Sequence, residues 1–162
     1  MLGPMVRADG YVSNGYVLLA QAHEPAALRR LATASKDADL ASLVAHAQRG
    51  SLRTLVLTEE RFTYAEQDWQ RPTRLRRLSG GAPDVRGCFV DAALLKLFGK
   101  ERRLRFAQKA GAFPQVDGLD PVVIWLGDAF SGLLMPFAPL WPKELRLEAG
   151  SAHEDGNGPE KN

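Results

Sequence analysis

The most regular pattern of apolar and polar positions runs from residue 87 to residue 137. Residues 87–90 form a short apolar run that predicts a strand, and Asp91 after it is suited to cap a helix. In the next segment Leu94, Leu95 and Phe98 fall on one helical face, and Gly99 supplies the stop. The pattern predicts a helix of about two turns, which is stable only when it docks on other elements.

Three strands are predicted after this helix. Residues 102–106 alternate charged and apolar side chains, which is the pattern of a strand with one solvent-exposed face. A loop rich in Gly and Pro covers 111–121, and an apolar β-branched run covers 122–126. Gly127-Asp128 is a turn pair before a last strand over 131–137. The unit is therefore strand, short helix and three strands with antiparallel connections.

The first half of the chain has weaker patterns. Turn dipeptides at 9–10 and 14–15 predict paired strands within residues 1–21. An apolar stripe of Leu28, Leu31 and Ala32 predicts a helix that starts at Glu24-Pro25 and extends to Lys36. A second amphipathic helix is predicted from Asp37 to Gly50.

Later segments of this half complete the predicted sheet. Strand signals at 55–57 and 62–64 predict a hairpin that turns at 59–61. Arginines at 71–78 predict an exposed edge strand, protected by charge from pairing with other chains. A loop is predicted at 79–83 and a short element at 145–147. The polar, acidic residues 149–162 are predicted to be a disordered tail after a single domain over 1–148.

Composition is that of an ordinary globular protein, with 162 residues, 45% apolar and 25% charged. The one cysteine excludes an internal disulfide and any multi-cysteine zinc site. No leading basic and apolar segment and no apolar stretch near 18 residues occurs, so we expect a cytoplasmic protein with no membrane contact.

Charge is unevenly distributed although the net charge is only +2. Residues 71–109 carry 11 basic and 3 acidic side chains, whereas residues 110–162 carry 3 and 8. This basic band has two interpretations. In the first, the basic side chains contact nucleic-acid phosphates, which would make binding sensitive to salt. In the second, they form a solvated strand face and protect a sheet edge from pairing.

Residues that could carry catalysis do not assemble into a recognisable site. His23, His46 and His153 lack paired ligand spacing, and Cys88 lies within an apolar strand pattern. The glycine turns lack the Lys-Ser/Thr of a phosphate-binding loop. We expect no enzyme activity, no metal and no cofactor.

The order of segments resembles the last half of a bacterial DNA sliding-clamp domain (the DNA polymerase III beta subunit family). The resemblance rests on the strand and helix at 89–95, the strand at 101–106, Asp120-Pro121 before the 122–124 strand, and the 133–137 ending with Met135-Pro136. It covers about 50 residues well. It implies an α+β fold in which short amphipathic helices pack on one face of an antiparallel sheet.

The resemblance also implies a non-catalytic processivity role in DNA replication, in which basic residues near short helices contact the backbone of double-stranded DNA without reading bases. By position in this chain, the implied DNA-binding residues are Arg29, Arg30, Lys36, Lys96, Lys100, Arg102 and Arg103.

Met135, Pro136 and Phe137 match the family's closing segment, which implies a pocket for peptides of polymerases or other replication proteins. Their alternative role is ordinary core packing in a final strand. About 25 further residues follow them, which departs from the family.

The resemblance leaves the assembly and the function open in two ways. With one domain per chain, a ring would need a homo-oligomer of about six copies. The alternative is a monomeric relative of the clamp that has kept the fold and lost the ring. The alternative function is an accessory protein-interaction module, of phage or plasmid type, that binds a host replication factor or another protein without binding DNA.

Overall fold

The computed structural model describes residues 3–65, 69, 71–80, 88–109, 120–137 and 145–148. In these residues the chain is a sheet-rich α+β protein with one large open sheet and few, short helices. The α+β class predicted from the sequence is therefore confirmed.

The strands are β1 (Met5–Ala8), β2 (Tyr11–Ser13), β3 (Val17–Ala20), β4 (Ala32–Ala34), β5 (Leu52–Tyr64), β6 (Thr73–Ser79), β7 (Cys88–Asp91), β8 (Leu104–Lys109), β9 (Val122–Leu126), β10 (Ala129–Leu134) and β11 (Leu145–Leu147). The helices are α1 (Leu40–Gln48) and α2 (Ala92–Leu95), and short 3-10 turns cover Gln21–His23, Ala26–Leu28, Lys96–Phe98 and Glu101–Arg103.

The strands follow the spatial order β4-β1-β2-β3-β10-β9-β8-β5-β6-β7, and β11 adds to β5 beside this path. Neighbouring strands are antiparallel except for β1 and β4, which are parallel. The prediction of a wholly antiparallel sheet is therefore wrong at this edge, because β4 returns to β1 through the crossing segment that follows β3.

The hairpin between β1 and β2 is set by its turn residues. Asp9 and Gly10 have φ angles of 57° and 85°, so both central positions are left-handed. A two-residue turn of this kind matches the twist of the flanking strands. The predicted turn at 9–10 and the paired strands around it are confirmed.

The closing unit of the predicted fold is present. Strand β9 pairs with β10 across the Gly127-Asp128 turn, and β8 pairs with the other edge of β9. Strand β8 begins at Leu104 rather than at residue 102, because Glu101–Arg103 forms a 3-10 turn. Strand β10 ends at Leu134, and Phe137 beyond it makes an isolated bridge to Phe89.

The predicted cap at Asp91 is made, and Asp39, two residues beyond the predicted start at Asp37, caps α1. Asp91 Oδ1 accepts hydrogen bonds from the N–H groups of Ala93 and Leu94 at 2.8 and 3.4 Å. Asp39 accepts from the N–H of Ser42 at 3.1 Å at the start of α1. Each cap satisfies donors that an isolated first turn leaves without partners.

The two helices lie on opposite faces of the sheet, which contradicts the prediction that they share one face. In β9, Val123 packs with Val44 and Ala47 of α1, whereas Val122 and Ile124 join the core cluster that contains Leu95 of α2. Because successive strand residues point to opposite faces, α1 and α2 must lie on different sides. We call these the α1 face and the α2 face.

The predicted helix from Glu24 to Lys36 does not form. The chain makes 3-10 turns over Gln21–His23 and Ala26–Leu28 and then pairs as β4 with β1. Of its apolar stripe, Leu28 is buried, while Leu31 is 39% exposed and its carbonyl accepts a hydrogen bond from the Met5 N–H. Pairing with β1 therefore overrides the helical spacing, as tertiary contacts often override a local pattern.

The predicted hairpin over 55–64 is a single strand instead. Strand β5 runs unbroken from Leu52 to Tyr64, and its pairing with β6 shifts register between Leu57 and Arg61. The polar residues 59–61 mark this irregularity rather than a turn.

The predicted edge strand over 71–78 is an interior strand. Strand β6 lies between β5 and β7, and Arg76 is only 4% exposed. Its arginines therefore do not protect an edge.

Some predictions concern residues outside the described part of the chain. They include the loop residues 81–83, most of the 111–121 loop and the tail 149–162. The predicted short element at 145–147 is confirmed as β11. Among the described helices, none is long and apolar enough to cross a membrane.

Candidate nucleic-acid interface

The seven cations implied as DNA contacts are all exposed. Within the described residues none of the seven makes an ion pair, whereas Arg7, Arg76, Arg77 and Arg105 each have a carboxylate partner. An exposed cation without a carboxylate partner can approach a phosphate without first breaking a salt bridge. These side chains are therefore available for an anion, although the charge of Arg29 also acts on Glu24 and helps to lower the pKa of that carboxyl.

Arg29 and Arg30 follow a segment that crosses the α2 face. Leu28 is 1% exposed and belongs to the same core cluster as Leu95. Earlier in the segment, His23 Nδ1 lies 3.2 Å from Ser131 Oγ in β10. A buried leucine and a side-chain contact thus hold the backbone that carries the two arginines, although the predicted helix is missing.

Lys96 and Lys100 lie at the end of α2 and just beyond it. Leu95 and Phe98 are buried on either side of Lys96. The Phe98 ring lies against Gly132, the residue next to Ser131 in β10. The segment before Arg29 and the end of α2 therefore reach neighbouring positions of one strand.

The structure brings six of the seven cations into two groups. One group is Arg29 and Arg30, and the other is Lys96, Lys100, Arg102 and Arg103. Both groups are anchored by residues of the core cluster on the α2 face. Lys36 is placed differently, because it follows β4 and the Ser35 N–H bond to the Arg7 carbonyl at the sheet edge.

Arg105 is an exposed cation of β8 that sequence reasoning did not select, and it lies on the α1 face, because the Trp125 ring beneath it packs with the α1 cluster. Its Nε donates to the Gly127 carbonyl at 3.0 Å, and its guanidinium lies 5.2 Å from the centre of the Trp125 ring. Asp128 is 3.8 Å from its Nη2. The alternation of Arg105 with buried Leu104 and Phe106 was the signal that it would be exposed.

Part of the basic band has a structural role. Arg76 is buried, donates to the Thr58 carbonyl at 2.8 Å and pairs with Glu101. Arg77 pairs with Glu60 at 3.4 Å. This structural role differs from the solvated, protected edge of the second interpretation, because Arg76 is buried and β6 is an interior strand.

The three residues of the implied peptide pocket differ in their surroundings. Met135 is 38% exposed, and its N–H donates to the carbonyl of Tyr16, itself 68% exposed. The Phe137 ring instead packs 5.2 Å from the Tyr64 ring, and its N–H donates to the Phe89 carbonyl. Met135 and Tyr16 are therefore the accessible pair, while Phe137 joins a small aromatic cluster.

The described residues hold no group of three His, Cys, Asp or Glu side chains that could bind a metal ion. His23 and Ser131 are in contact, but Ser131 is fully buried, so its hydroxyl is out of reach of a substrate. Cys88 is buried in β7, in agreement with the predicted core role.

An ion pair fixes the start of the segment that leads to Arg29. Arg7 Nη1 and Nη2 donate to the two carboxylate oxygens of Glu24 at 2.6 and 2.8 Å. The Glu24 side chain is 3% exposed. The hydrogen bonds from Arg7 lower the pKa of Glu24 below its usual 4.5, although burial acts in the opposite direction.

This pair predicts a pH-dependent stability. Because folding lowers the pKa of Glu24, its ionised form stabilises the fold at neutral pH, and this contribution disappears as pH falls through the folded pKa. We expect Glu24→Gln to reduce the free energy of unfolding at neutral pH and the difference from wild type to shrink well below pH 4.5. Urea unfolding across pH measures it, with exposed Glu59→Gln as the control. A difference that is constant with pH would contradict the role of the pair.

Comparison with known proteins gives no relative: no protein-family model, no curated protein and no solved structure matches the chain.

Proposed function

We propose that this chain is a non-catalytic, DNA-clamp-like accessory protein of replication that contacts the backbone of duplex DNA. Two features of the fold support it: β7 leads into α2 through the Asp91 cap, and β8, β9 and β10 follow as an antiparallel set. This is the order of elements on which the resemblance to a sliding-clamp domain rests. The opposite placement of α1 is a departure from the expected arrangement.

The observation that carries the proposal is the pair of cation groups on the α2 face. Arg29 and Arg30 form one group and Lys96 to Arg103 the other, all exposed and without ion pairs among the described residues. Each phosphate that such a cation neutralises releases condensed counterions, so binding is driven by charge and weakens with salt. Contacts of this kind position a duplex but do not read its sequence.

The proposal includes a protein partner and an assembly. Peptides of polymerases or other replication proteins would bind at Met135 and Pro136, next to exposed Tyr16. The flexible thioether side chain of Met135 can adjust its packing to different peptides, which suits such a surface. A ring would require a homo-oligomer of about six copies of this single domain, and the same contacts could serve a monomer on DNA.

Reversing charge on the first group tests the proposal. We expect the double variant Arg29→Glu and Arg30→Glu to bind a short fluorescein-labelled duplex about tenfold more weakly at low salt, and the slope of log affinity against log salt to fall by about 2. Fluorescence anisotropy over a salt series measures both quantities. Light scattering on the same samples reports how many copies of the protein bind one duplex.

The matched control lies on the α1 side of the sheet. Arg49, at the end of α1, and Lys109, whose Nζ lies 3.2 Å from His46 Nε2 of α1, are reversed together to Glu. This variant carries the same change in net charge, and its DNA affinity should fall much less. Equal losses in both variants, or no duplex binding by wild type at low salt, would refute a DNA face on the α2 side.

The second candidate is the protein-interaction module that binds no DNA. The exposed, adjacent Tyr16 and Met135 favour it, because neighbouring apolar side chains at a surface mark a protein contact more often than a nucleic-acid contact. Absence of duplex binding in the same assay selects this alternative.

A further inference from the structure

The pairing of β11 with β5 sets the direction of the chain that follows it. Strand β11 pairs antiparallel with Phe62 to Tyr64 of β5. The next residue, Glu148, donates its N–H to the Arg61 carbonyl at 2.7 Å. The ladder therefore advances toward the start of β5, and residues 149–162, which lie outside the described part of the chain, follow directly from it.

The backbone of β5 ahead of this point has groups that can extend the ladder. Alternate residues of a strand direct their N–H and C=O groups to opposite edges. The Arg61 carbonyl faces β11, whereas the Thr58 carbonyl accepts from Arg76 of β6 at the other edge. Between Leu57 and Arg61 the register with β6 shifts by two residues, an even number that preserves the alternation. Leu57 and Glu59 are therefore expected to direct their backbone groups to the β11 edge.

A groove of about 450 Å³ lies at the far end of this stretch, where β5 begins to pair with β8. This volume is large enough for several side chains. Leu55, Val56 and Trp125 are among its described lining residues, and Val56 is 64% exposed. A chain that continues the ladder from Glu148 along β5 therefore arrives at this groove.

The charge of the groove is positive. Among the described residues its one acidic lining residue, Glu101, pairs with buried Arg76. Arg102 makes no ion pair with a described residue, and the Arg105 side chain is 60% exposed with Asp128 3.8 Å away. Arg102 and Arg105, called the groove arginines, therefore attract a carboxylate.

The segment after β11 carries carboxylates at a matching distance. Residues 149–152 are all small, and the acidic pair Glu154-Asp155 follows closely. From Arg61 to Val56 a strand spans about 17 Å, and the six residues after Glu148 span about 20 Å when extended. The acidic pair can therefore reach the groove arginines when the ladder continues.

We propose that residues 149–153 continue β11 along β5 and that the carboxylates of Glu154 and Asp155 pair with the groove arginines. The segment then competes with DNA for Arg102, one of the cations assigned to the duplex. This competition rests on the proposed function, whereas the docking of the segment does not.

The chain's own segment is favoured over another protein as the occupant. It is joined to β11, so its effective concentration at the groove is high and weak ion pairs are enough to hold it. Composition predicts disorder for residues 149–162, because a polar segment has few side chains to bury. A ladder that has already begun supplies backbone hydrogen bonds without such side chains.

Amide hydrogen exchange of the full chain, followed by mass spectrometry, tests the docking. We expect the amides of residues 149–153 to exchange at least about tenfold more slowly than in a synthetic peptide of residues 149–162. The protection should not depend on protein concentration, because the contact is within one chain.

Charge reversal tests the role of the groove arginines. The double variant Arg102→Glu and Arg105→Glu should lose most of the protection of residues 149–153. The matched control is the variant Arg49→Glu and Lys109→Glu, which carries the same change in net charge and should keep it. Protection of β9 amides in the same spectra shows that each variant is folded.

Competition with DNA is measured by fluorescence anisotropy on the labelled duplex. We expect Glu154→Lys to bind at least about threefold more tightly than wild type at low salt, because it releases Arg102 for a phosphate. Glu160→Lys makes the same charge change later in the same segment, and its affinity should rise much less.

Three results would overturn the docking: exchange as fast as in the free peptide, protection that the double reversal leaves unchanged, or protection that rises with protein concentration. The last would assign the groove to the segment of a second copy. Equal gains for Glu154→Lys and Glu160→Lys would overturn the competition with DNA. Protection without duplex binding by any variant would support the docking and refute the proposed function.

Discussion

Gly132→Ala should lower the free energy of unfolding by about 3 kcal/mol. A Cβ atom on Gly132 would overlap the backbone carbonyl oxygen of Leu18 in β3 and would lie 2.8 Å from the Phe98 ring. The ring can rotate away, but the carbonyl belongs to a strand that pairs with β10. The methyl group therefore has to break this ladder to fit.

Thermal unfolding followed by circular dichroism measures the effect. A loss of this size corresponds to a midpoint lower by about 6–12 °C for a chain of this length. Ala129→Val, which adds bulk at an exposed position of the same strand, is the control and should change little. Adding Phe98→Leu to Gly132→Ala should recover only the smaller part of the loss. A midpoint within about 2 °C of wild type would show that β10 and β3 are not in this contact.

Glu101→Ala should destabilise the protein more than removal of its partner, Arg76→Met. Without Glu101 the guanidinium of Arg76 stays in a site where its side chain is 5% exposed, and it keeps only the Thr58 carbonyl as a partner. Without Arg76 the carboxylate of Glu101, whose side chain is 43% exposed, is hydrated by water. Leaving a buried charge without its partner costs more free energy of folding than leaving an exposed charge without its partner.

We expect a loss of about 2 kcal/mol for Glu101→Ala and about 1 kcal/mol for Arg76→Met. The first value lies below that of fully buried pairs because water reaches the position that Glu101 leaves. Glu60→Ala is the control, since its pair with Arg77 is partly exposed on both sides and contributes less than about 1 kcal/mol. Urea unfolding at neutral pH compares the three. The reverse order of Glu101→Ala and Arg76→Met would contradict the burial of Arg76.

The pair also connects two elements of the fold. Arg76 belongs to β6, and Glu101 belongs to the 3-10 turn that carries Arg102 and Arg103. Loss of the pair is therefore expected to loosen the turn as well as the fold.

Elements with local signals were predictable from the residues alone. Asp91 and Asp39 cap their helices, and Asp9-Gly10 closes the first hairpin, because a cap or a tight turn is decided by atoms a few residues apart. The alternation around Arg105 correctly marked which side chains of β8 face the core. Exposure of the seven cations followed from their charge.

Elements that depend on distant partners were mispredicted. The stripe around Leu28 has helical spacing, but pairing with β1 makes the following residues a strand. The polar residues at 59–61 look like a turn, yet β5 continues through them, because β6 pairs with it on both sides of the irregularity and β11 pairs with it at 62–64. Arg76 was predicted to be exposed on an edge strand. In the structure β7 pairs with the outer edge of β6, and Glu101 forms an ion pair with the Arg76 guanidinium.

The sequence by itself thus determined the α+β class, the two helix caps, the first hairpin and the closing strands, since each depends on neighbouring residues and on apolar periodicity. Only the tertiary structure decided which face each helix covers and that the segments carrying the two cation groups pack on the α2 face. Periodicity specifies that a side chain is buried, but the partner that buries it comes from a distant part of the chain.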